Sequence, residues 1–192
     1  MLKKIITTSL PTRYGDFELH LYHDNLEKEY LALVCGDLKD IQKPILTRIH
    51  SACLTGEVFG SLRCDCQEQL HESMQKIQDN SSGVLIYLNQ EGRGIGLTNK
   101  IKAYALQSQG LDTVEANEKL GFKPDERDFM VAGEILKDLG VEHVKLMTNH
   151  PQKIADLEKK GIKVERQKLW VGKNKNNQKY LLTKQIKMGH LN

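Results

Sequence analysis

At 192 residues, with 39% hydrophobic and 28% charged side chains, the chain has the composition of one globular domain or a compact pair of subdomains. Its net charge of +3 is spread without a long basic run, which speaks against a nucleic-acid partner and suits a small phosphorylated ligand. No apolar run approaches the roughly 18 residues of a membrane span, and the broken apolar stretch after Met1 does not make a secretory leader. The expectation is a cytoplasmic protein with no membrane partner, whose four cysteines are thiols or metal ligands rather than disulfides.

In chain order, residues 17–23 alternate apolar and polar, residues 30–36 form an apolar run ending in a Gly-Asp turn, and residues 44–49 make a third short strand. A polar, cysteine-bearing segment covers 50–66. Leu70, Met74 and Ile77 then share one face of a helix over 67–78, and Asp79-Asn80-Ser81-Ser82-Gly83 breaks it. From there strand and helix alternate: a buried strand over 84–88, the glycine loop 90–96, a helix over 97–109 stopped by Gly110, and a helix over 128–139 stopped by Gly140. A strand at 144–147, a helix at 151–160 opened by Pro151 and a strand at 162–166 follow. The polar tail around 173–177 reads as a mobile loop or terminal arm. The fold class is therefore α/β (mixed α+β), a β-rich N-terminal part followed by β-α-β-α units around a partly parallel sheet.

Cys53, Cys64 and Cys66 lie close together, flanked by Arg63 and Asp65, while Cys35 sits in an apolar strand and reads as packing. Thiolates select zinc, and three ligands leave the open position of a catalytic site; a fourth from His50 or His71 would instead close it as a structural one. Buried, metal-free cysteines are the plainer alternative, disfavoured by the polar C-x-C surroundings.

The loop Gln90-Glu91-Gly92-Arg93-Gly94-Ile95-Gly96 follows a strand and opens a helix, where backbone N–H groups and Arg93 can hold an anion. It matches neither the dinucleotide fingerprint nor the Walker pattern, so an ordinary glycine loop explains it equally well. Arg48-Ile49-His50-Ser51 abuts the first cysteine. Thr148-Asn149-His150-Pro151-Gln152-Lys153 lies at a strand end leading into a helix, where open α/β sheets place ligands. The plain alternatives are a surface His50, a solvated Lys153, a charged helix start for Asp125-Glu126-Arg127-Asp128 and a core position for Tyr104, which shares a helix face with Leu97 and Ile101.

Taken in this order, these pieces resemble GTP cyclohydrolase II. The resemblance runs through Leu10-Pro11-Thr12, Gly36-Asp37, Arg48-Ile49-His50-Ser51, Cys53-Leu54-Thr55-Gly56 and Ser61-Leu62-Arg63-Cys64-Asp65-Cys66. It continues through Gln90-Glu91-Gly92-Arg93, the stretch 100–107, Asp112-Thr113-Val114-Glu115-Ala116-Asn117, Leu120-Gly121-Phe122, Asp125-Glu126-Arg127-Asp128-Phe129 and Met188-Gly189-His190-Leu191. It implies a single domain over 1–192 and a zinc ion held by Cys53, Cys64 and Cys66. Nucleotide contacts would fall on Arg48, Ile49, His50, Ser51, Gln69, Glu91, Gly92, Arg93, Thr113, Thr148 and Lys153. Asp125 would be a proton acceptor, Arg127 the nucleophile toward the α-phosphate, and Tyr104 a participant in the ring chemistry. The implied reaction is the first step of riboflavin synthesis: with zinc, and magnesium on the triphosphate, GTP becomes a diaminopyrimidinone ribosylamine 5′-phosphate, formate and diphosphate. The implied assembly is a homodimer.

A guanidinium with pKa above about 12 is a poor nucleophile, so an electrostatic role for Arg127 needs less special chemistry. The chain also departs from the family pattern. Ala52 stands where a glutamate usually precedes the first cysteine, Gln67 where glycine usually follows the C-x-C pair, and Asn149-His150-Pro151-Gln152 where Asn-Asn-Pro-Lys is usual. Loss of a carboxylate beside the metal makes a nucleotide-binding paralogue with reduced or truncated activity the alternative reading.

Overall fold

The computed structural model describes residues 2–39 and 43–191, so Met1, where the N-terminal stretch begins, lies outside it. The chain divides into two compact units: Met1–His50, His71–Asn89 and Asp128–Leu169 form the first, and Ser51–Leu70, Gln90–Arg127 and Trp170–Asn192 the second. No helix of the described residues is long and apolar enough to cross a membrane.

The first unit is built on a seven-stranded sheet. Its strands are β1 (Lys3–Thr12), β2 (Gly15–His23), β3 (Glu29–Cys35), β4 (Ile45–Ser51), β5 (Gly83–Leu88), β6 (His143–Met147) and β7 (Lys163–Gln167), in the order β1-β2-β3-β5-β4-β6-β7. The first half is antiparallel, with Leu19 opposite Leu33 and Ala32 opposite Ile86. Strands β4, β6 and β7 run parallel, with Ile45 opposite Val144 and Val144 opposite Val164. The mixed class and the partly parallel sheet expected from the alternation are both present. Strand β1 was not singled out by pattern because nearly all of it is exposed and it has no buried face to alternate against. Its hairpin to β2 closes where Thr12 Oγ1 donates to Gly15 O at 2.7 Å and accepts from Tyr14 N at 3.1 Å.

Two helices, α5 (Met130–Asp138) and α6 (Pro151–Lys159), supply Ala132, Ile135, Leu136 and Leu157 to a core that includes Tyr22, Val34, Val84, Ile86, Leu88, Val144 and Leu146. The 132, 135, 136 spacing is one face of α5, and Gly140 ends this segment with φ +75°. The buried Cys35 belongs to this unit, as its apolar strand implied; burial raises its thiol pKa.

The second unit is helical. It holds α1 (Leu54–Glu57), the N-terminal end of α2 (Cys66–Asp79), a 3-10 turn at Glu91–Gly94, α3 (Gly96–Ser108), α4 (Thr113–Lys119) and α7 (Gln178–Ile186). Helix α3 packs on the 3-10 turn and on α4, and α4 packs on α7. Helix α4 is too short for periodicity to reveal, but Asp112 and Glu115 form a capping box: the Asp112 carboxylate accepts from Val114 N and Glu115 N, and Glu115 accepts from Asp112 N. The tail corrects the expectation of a mobile arm. Asn174 and Asn177 form a hydrogen-bonded turn, Asn177 is fully buried, and α7 follows. Polar composition misled because asparagine side chains here satisfy backbone groups internally.

Candidate functional site

Cys53 lies just before α1, Cys64 in the following turn, and Cys66 opens α2, so one short loop closes on itself and points three sulfurs inward. The three Sγ atoms lie within 4.8 Å of one another, and Cys53 Sγ is 3.7 Å from Cys64 Sγ. For tetrahedral zinc with Zn–S of about 2.3 Å, ligand edges are about 3.8 Å, so the triangle fits the ion. Gly56 caps it: a Cβ there would stand 2.9 Å from Cys64 Sγ and 3.2 Å from Cys53 Sγ. Among the described residues the ligand group consists of these three cysteines alone. Without an ion the thiols share hydrogen bonds unequally. Donation from Cys64 and Cys66, with the Lys100 charge, pulls Cys53 far below the usual thiol range, while Cys64 is pushed up to about 11 by its bond to Cys53 and Cys66 is also raised.

Lys100, from α3, is buried, and its Nζ donates to Cys53 Sγ at 3.1 Å and to Glu91 Oε1 at 2.7 Å. Burial would lower the ammonium pKa, but the Glu91 bond and the Cys53 charge outweigh it and leave it raised. Glu91 also accepts from Leu54 N at 2.7 Å and Gly92 N at 2.9 Å, so this carboxylate ties the glycine loop to the start of α1. Gly92 and Arg93 both take left-handed φ of 62° and 63°, and Arg93 lies over the Tyr180 ring at 5.4 Å. At Gly92 a Cβ would meet Lys100 Cβ at 2.9 Å. Gly92 N is thus committed to Glu91 and Gly94 N to Gln90 O, rather than presented together as an anion cradle.

Tyr104, one turn after Lys100, corrects the core expectation. Leu97 and Ile101 are exposed, whereas Tyr104 is half-buried with its hydroxyl 3.2 Å from Thr55 Oγ1 and the Arg63 guanidinium 4.8 Å over its ring. Burial raises its pKa. Asp125 and Arg127 pair in two parallel bonds, Nε to Oδ1 at 2.8 Å and Nη2 to Oδ2 at 2.6 Å, and Arg127 Nη1 reaches Ser51 Oγ at 3.4 Å. Burial opposes the charge on Arg127, yet the Asp125 bonds raise its pKa above the usual guanidinium value. At the end of this segment Asp128 Oδ1 accepts from Met130 N at 2.8 Å, while the N-cap position of α5 is Phe129, without a side-chain cap bond. Gln69 donates to Asp65, and Thr113 is buried at the first turn of α4.

Sequence reasoning missed the support beneath the cysteine loop. Asp65, between Cys64 and Cys66, is 1% exposed and pairs with Lys184 of α7 at 2.8 Å. Lys184 also lies 4.3 Å from the Tyr180 ring centroid, and Asn177 Nδ2 donates to Cys64 O at 3.2 Å. Of these only Asp65 had a local signal, its place between Cys64 and Cys66. Gln67, one of the departures from the family pattern, donates to Glu57 O at 3.0 Å. Ala52 is half-buried and brings no carboxylate to Cys53.

The other expected residues lie in the first unit, at the carboxyl ends of parallel β4 and β6. Arg48 is buried and its Nη1 donates to Met147 O at 2.8 Å. Lys153 is buried too, donating to Ile49 O at 2.8 Å and lying 5.0 Å from the Phe129 ring centroid, so it is not a solvated surface lysine. His50 is buried and stacks on Tyr87 at 5.7 Å, while His71 lies 5.5 Å from the Tyr14 ring. Thr148 Oγ1 accepts from His150 N at 3.0 Å, and Asn149 exchanges hydrogen bonds with the backbone of Leu169. Both buried cations thus donate to backbone carbonyls near the strand ends where open α/β sheets place ligands.

Comparison with known proteins adds a family. The model of GTP cyclohydrolase II matches residues 3–168. The chain is 51% identical over its whole length to the riboflavin biosynthesis protein RibBA of Bacillus velezensis, covering 48% of that protein. It is 50% identical to a GTP cyclohydrolase-2 of Haemophilus influenzae, over 98% of the chain and 88% of the relative. The chain therefore spans about half the length of the RibBA relatives it matches. A crystal structure of RibBX, a two-domain 3,4-dihydroxy-2-butanone 4-phosphate synthase from A. baumannii, has a similar fold, with TM-score 0.52 and 22% identity over 88% of this chain and 40% of that one.

Proposed function

We propose that this chain, which belongs to the GTP cyclohydrolase II family, hydrolyses GTP to 2,5-diamino-6-ribosylamino-4(3H)-pyrimidinone 5′-phosphate with release of formate and diphosphate, the first step of riboflavin biosynthesis. The observation that carries the reading is the three-sulfur triangle capped by Gly56, in the same unit as the Asp125–Arg127 pair and Tyr104. Zinc held by Cys53, Cys64 and Cys66 would supply a Lewis-acidic position that makes water nucleophilic near neutral pH. Residues 1–192 are read as one functional domain that works as a homodimer, with magnesium on the triphosphate.

The remaining work falls to the chain's own side chains. In the first unit, Arg48, Ile49, His50, Thr148 and Lys153 are assigned to nucleotide contacts; the cations would neutralise phosphate charge. In the second unit, Ser51, Gln69, Glu91, Gly92, Arg93 and Thr113 are assigned likewise. Arg127, locked by Asp125 and kept protonated by it, suits donation to the α-phosphate and its leaving diphosphate better than nucleophilic attack. Asp125 would accept a proton from the attacking water. Tyr104, its pKa raised, keeps its hydroxyl proton and can donate it while the ring opens and formate leaves.

Incubation with GTP, zinc and magnesium, following formate, diphosphate and the pyrimidine product, tests this. No turnover with metal and GTP both bound would sink the enzyme reading. Ala52 favours a second reading, a paralogue that is slow or stops at the formylated intermediate. Under it, Ala52→Glu raises formate release about tenfold or more; unchanged, family-like turnover in both forms leaves the full hydrolase.

A further inference from the structure

Lys100 is the feature that the family reading leaves without a role. It is 7% exposed, its ammonium touches Cys53 Sγ and Glu91 Oε1, and Cys53 itself is 6% exposed. The Glu91 carboxylate is fixed where it is by two backbone N–H groups, those of Leu54 and Gly92. The Cys53 sulfur and the Glu91 carboxylate therefore face one buried point, and Lys100 is the cation between them. A divalent ion with three thiolates carries a net charge of −1, which is costly to bury without compensation.

We infer that Lys100 is a positioning residue for the metal site: its ammonium holds the Cys53 sulfur in ligand geometry and offsets the surplus negative charge of the three-thiolate centre. The inference rests on the zinc reading above. A purely structural lysine would pair with Glu91 and have no need of the sulfur. Here the short N–H···S bond directs the ammonium at the ligand atom, and N–H donors to a metal-bound sulfur draw off its excess electron density. The glycine at position 92 permits this approach, because a Cβ there would collide with the Lys100 side chain.

The test is metal binding by the full chain, read by competition with a zinc chelator and by the sulfur-to-cobalt charge-transfer bands of the cobalt-loaded protein. Lys100→Met, which keeps the stem and removes the charge, is expected to weaken zinc about 10- to 100-fold and to shift the cobalt bands. Lys100→Arg is expected to restore most of both. If Lys100→Met does not fold, Lys100→Gln against Lys100→Arg carries the same comparison, because glutamine donates a hydrogen bond without charge. Affinity within about twofold of wild type and unchanged bands in the neutral variants overturns the inference while leaving the zinc reading intact. So does an equal loss in glutamine and arginine variants. A wild-type chain that binds neither zinc nor cobalt overturns both.

Discussion

The two units of this molecule are held by different physics. The first buries a continuous apolar core between the sheet and two helices, with Tyr22, Phe129, Ile86, Ile135, Leu136 and Leu157 fully enclosed. The second has few large buried apolar side chains, Ile95 and Leu181 among them. What orders it are polar and thiol contacts arranged around the cysteine triangle: Glu91 on Leu54, Lys100 on Cys53, Lys184 on Asp65, Asn177 on Cys64 O. Hydrophobic burial is non-directional and tolerant of local change, whereas a polar cluster holds only when every partner is present. The cysteine loop thus sits in the unit whose order rests most on specific polar contacts.

The sharpest way to break that contrast is to remove a ligand. Cys64→Ser is expected to abolish zinc binding and cut formate release at least about 100-fold. By hydrogen exchange, residues 51–70 and 90–127 should lose protection while the strands of the sheet keep theirs. Equal loss in both units would show that the contrast is false. In the opposite direction, Ile135→Ala should lower global stability by about 2–5 kcal/mol in denaturant titration, with zinc affinity of the folded protein unchanged within about twofold.

Smaller effects sharpen the picture. Lys184→Met leaves the buried Asp65 with Gln69 as a remaining donor, so a loss of about 1–3 kcal/mol is expected, with protection falling at 64–66 and 178–186. Retained protection there would mean that α7 does not brace the cysteine loop. The smallest effect belongs to Asp138, whose pKa is lowered: its modest burial acts to raise it, but Lys4 and Tyr22 outweigh that. A depressed folded pKa gives stability that is present above the unfolded value of about 3.9 and lost as pH falls through the lower folded value. Asp138→Asn should flatten the stability profile below about pH 4. The change should stay under about 1 kcal/mol, because the half-exposed pair is screened by solvent.

Much of this was readable before folding was considered. The strands at 17–23, 30–36 and 84–88 and the helices at 67–78, 97–109 and 151–160 all announce themselves through period and terminal glycine or proline. Most of these lay apolar side chains against the core, which is what periodicity reports; the helix at 97–109 does not, and it was marked by Gly110 at its end. Strand β1, α4 and α7 did not, because an exposed edge strand, a two-turn helix and a polar tail carry no long apolar period. The plain core reading of Tyr104 fails for a related reason. A helix face that looks apolar in projection, Leu97, Ile101 and Tyr104, is solvent-facing at two of its positions, and at the third the Tyr104 hydroxyl lies 3.2 Å from Thr55 Oγ1.

The site divides along the same line. Cysteine spacing is local, so a candidate metal site follows from residues 53–66 alone, with its fourth ligand left open; among the described residues the cluster that could hold an ion consists of Cys53, Cys64 and Cys66. Which groups surround that triangle is a property of the folded chain. Lys100 reaches Cys53 across 47 positions of sequence and Lys184 reaches Asp65 across 119. A buried charge declares its partner only when the fold removes water from around it. The three-cysteine cluster was therefore legible in the chain order, and the charged groups set around it were decided by packing.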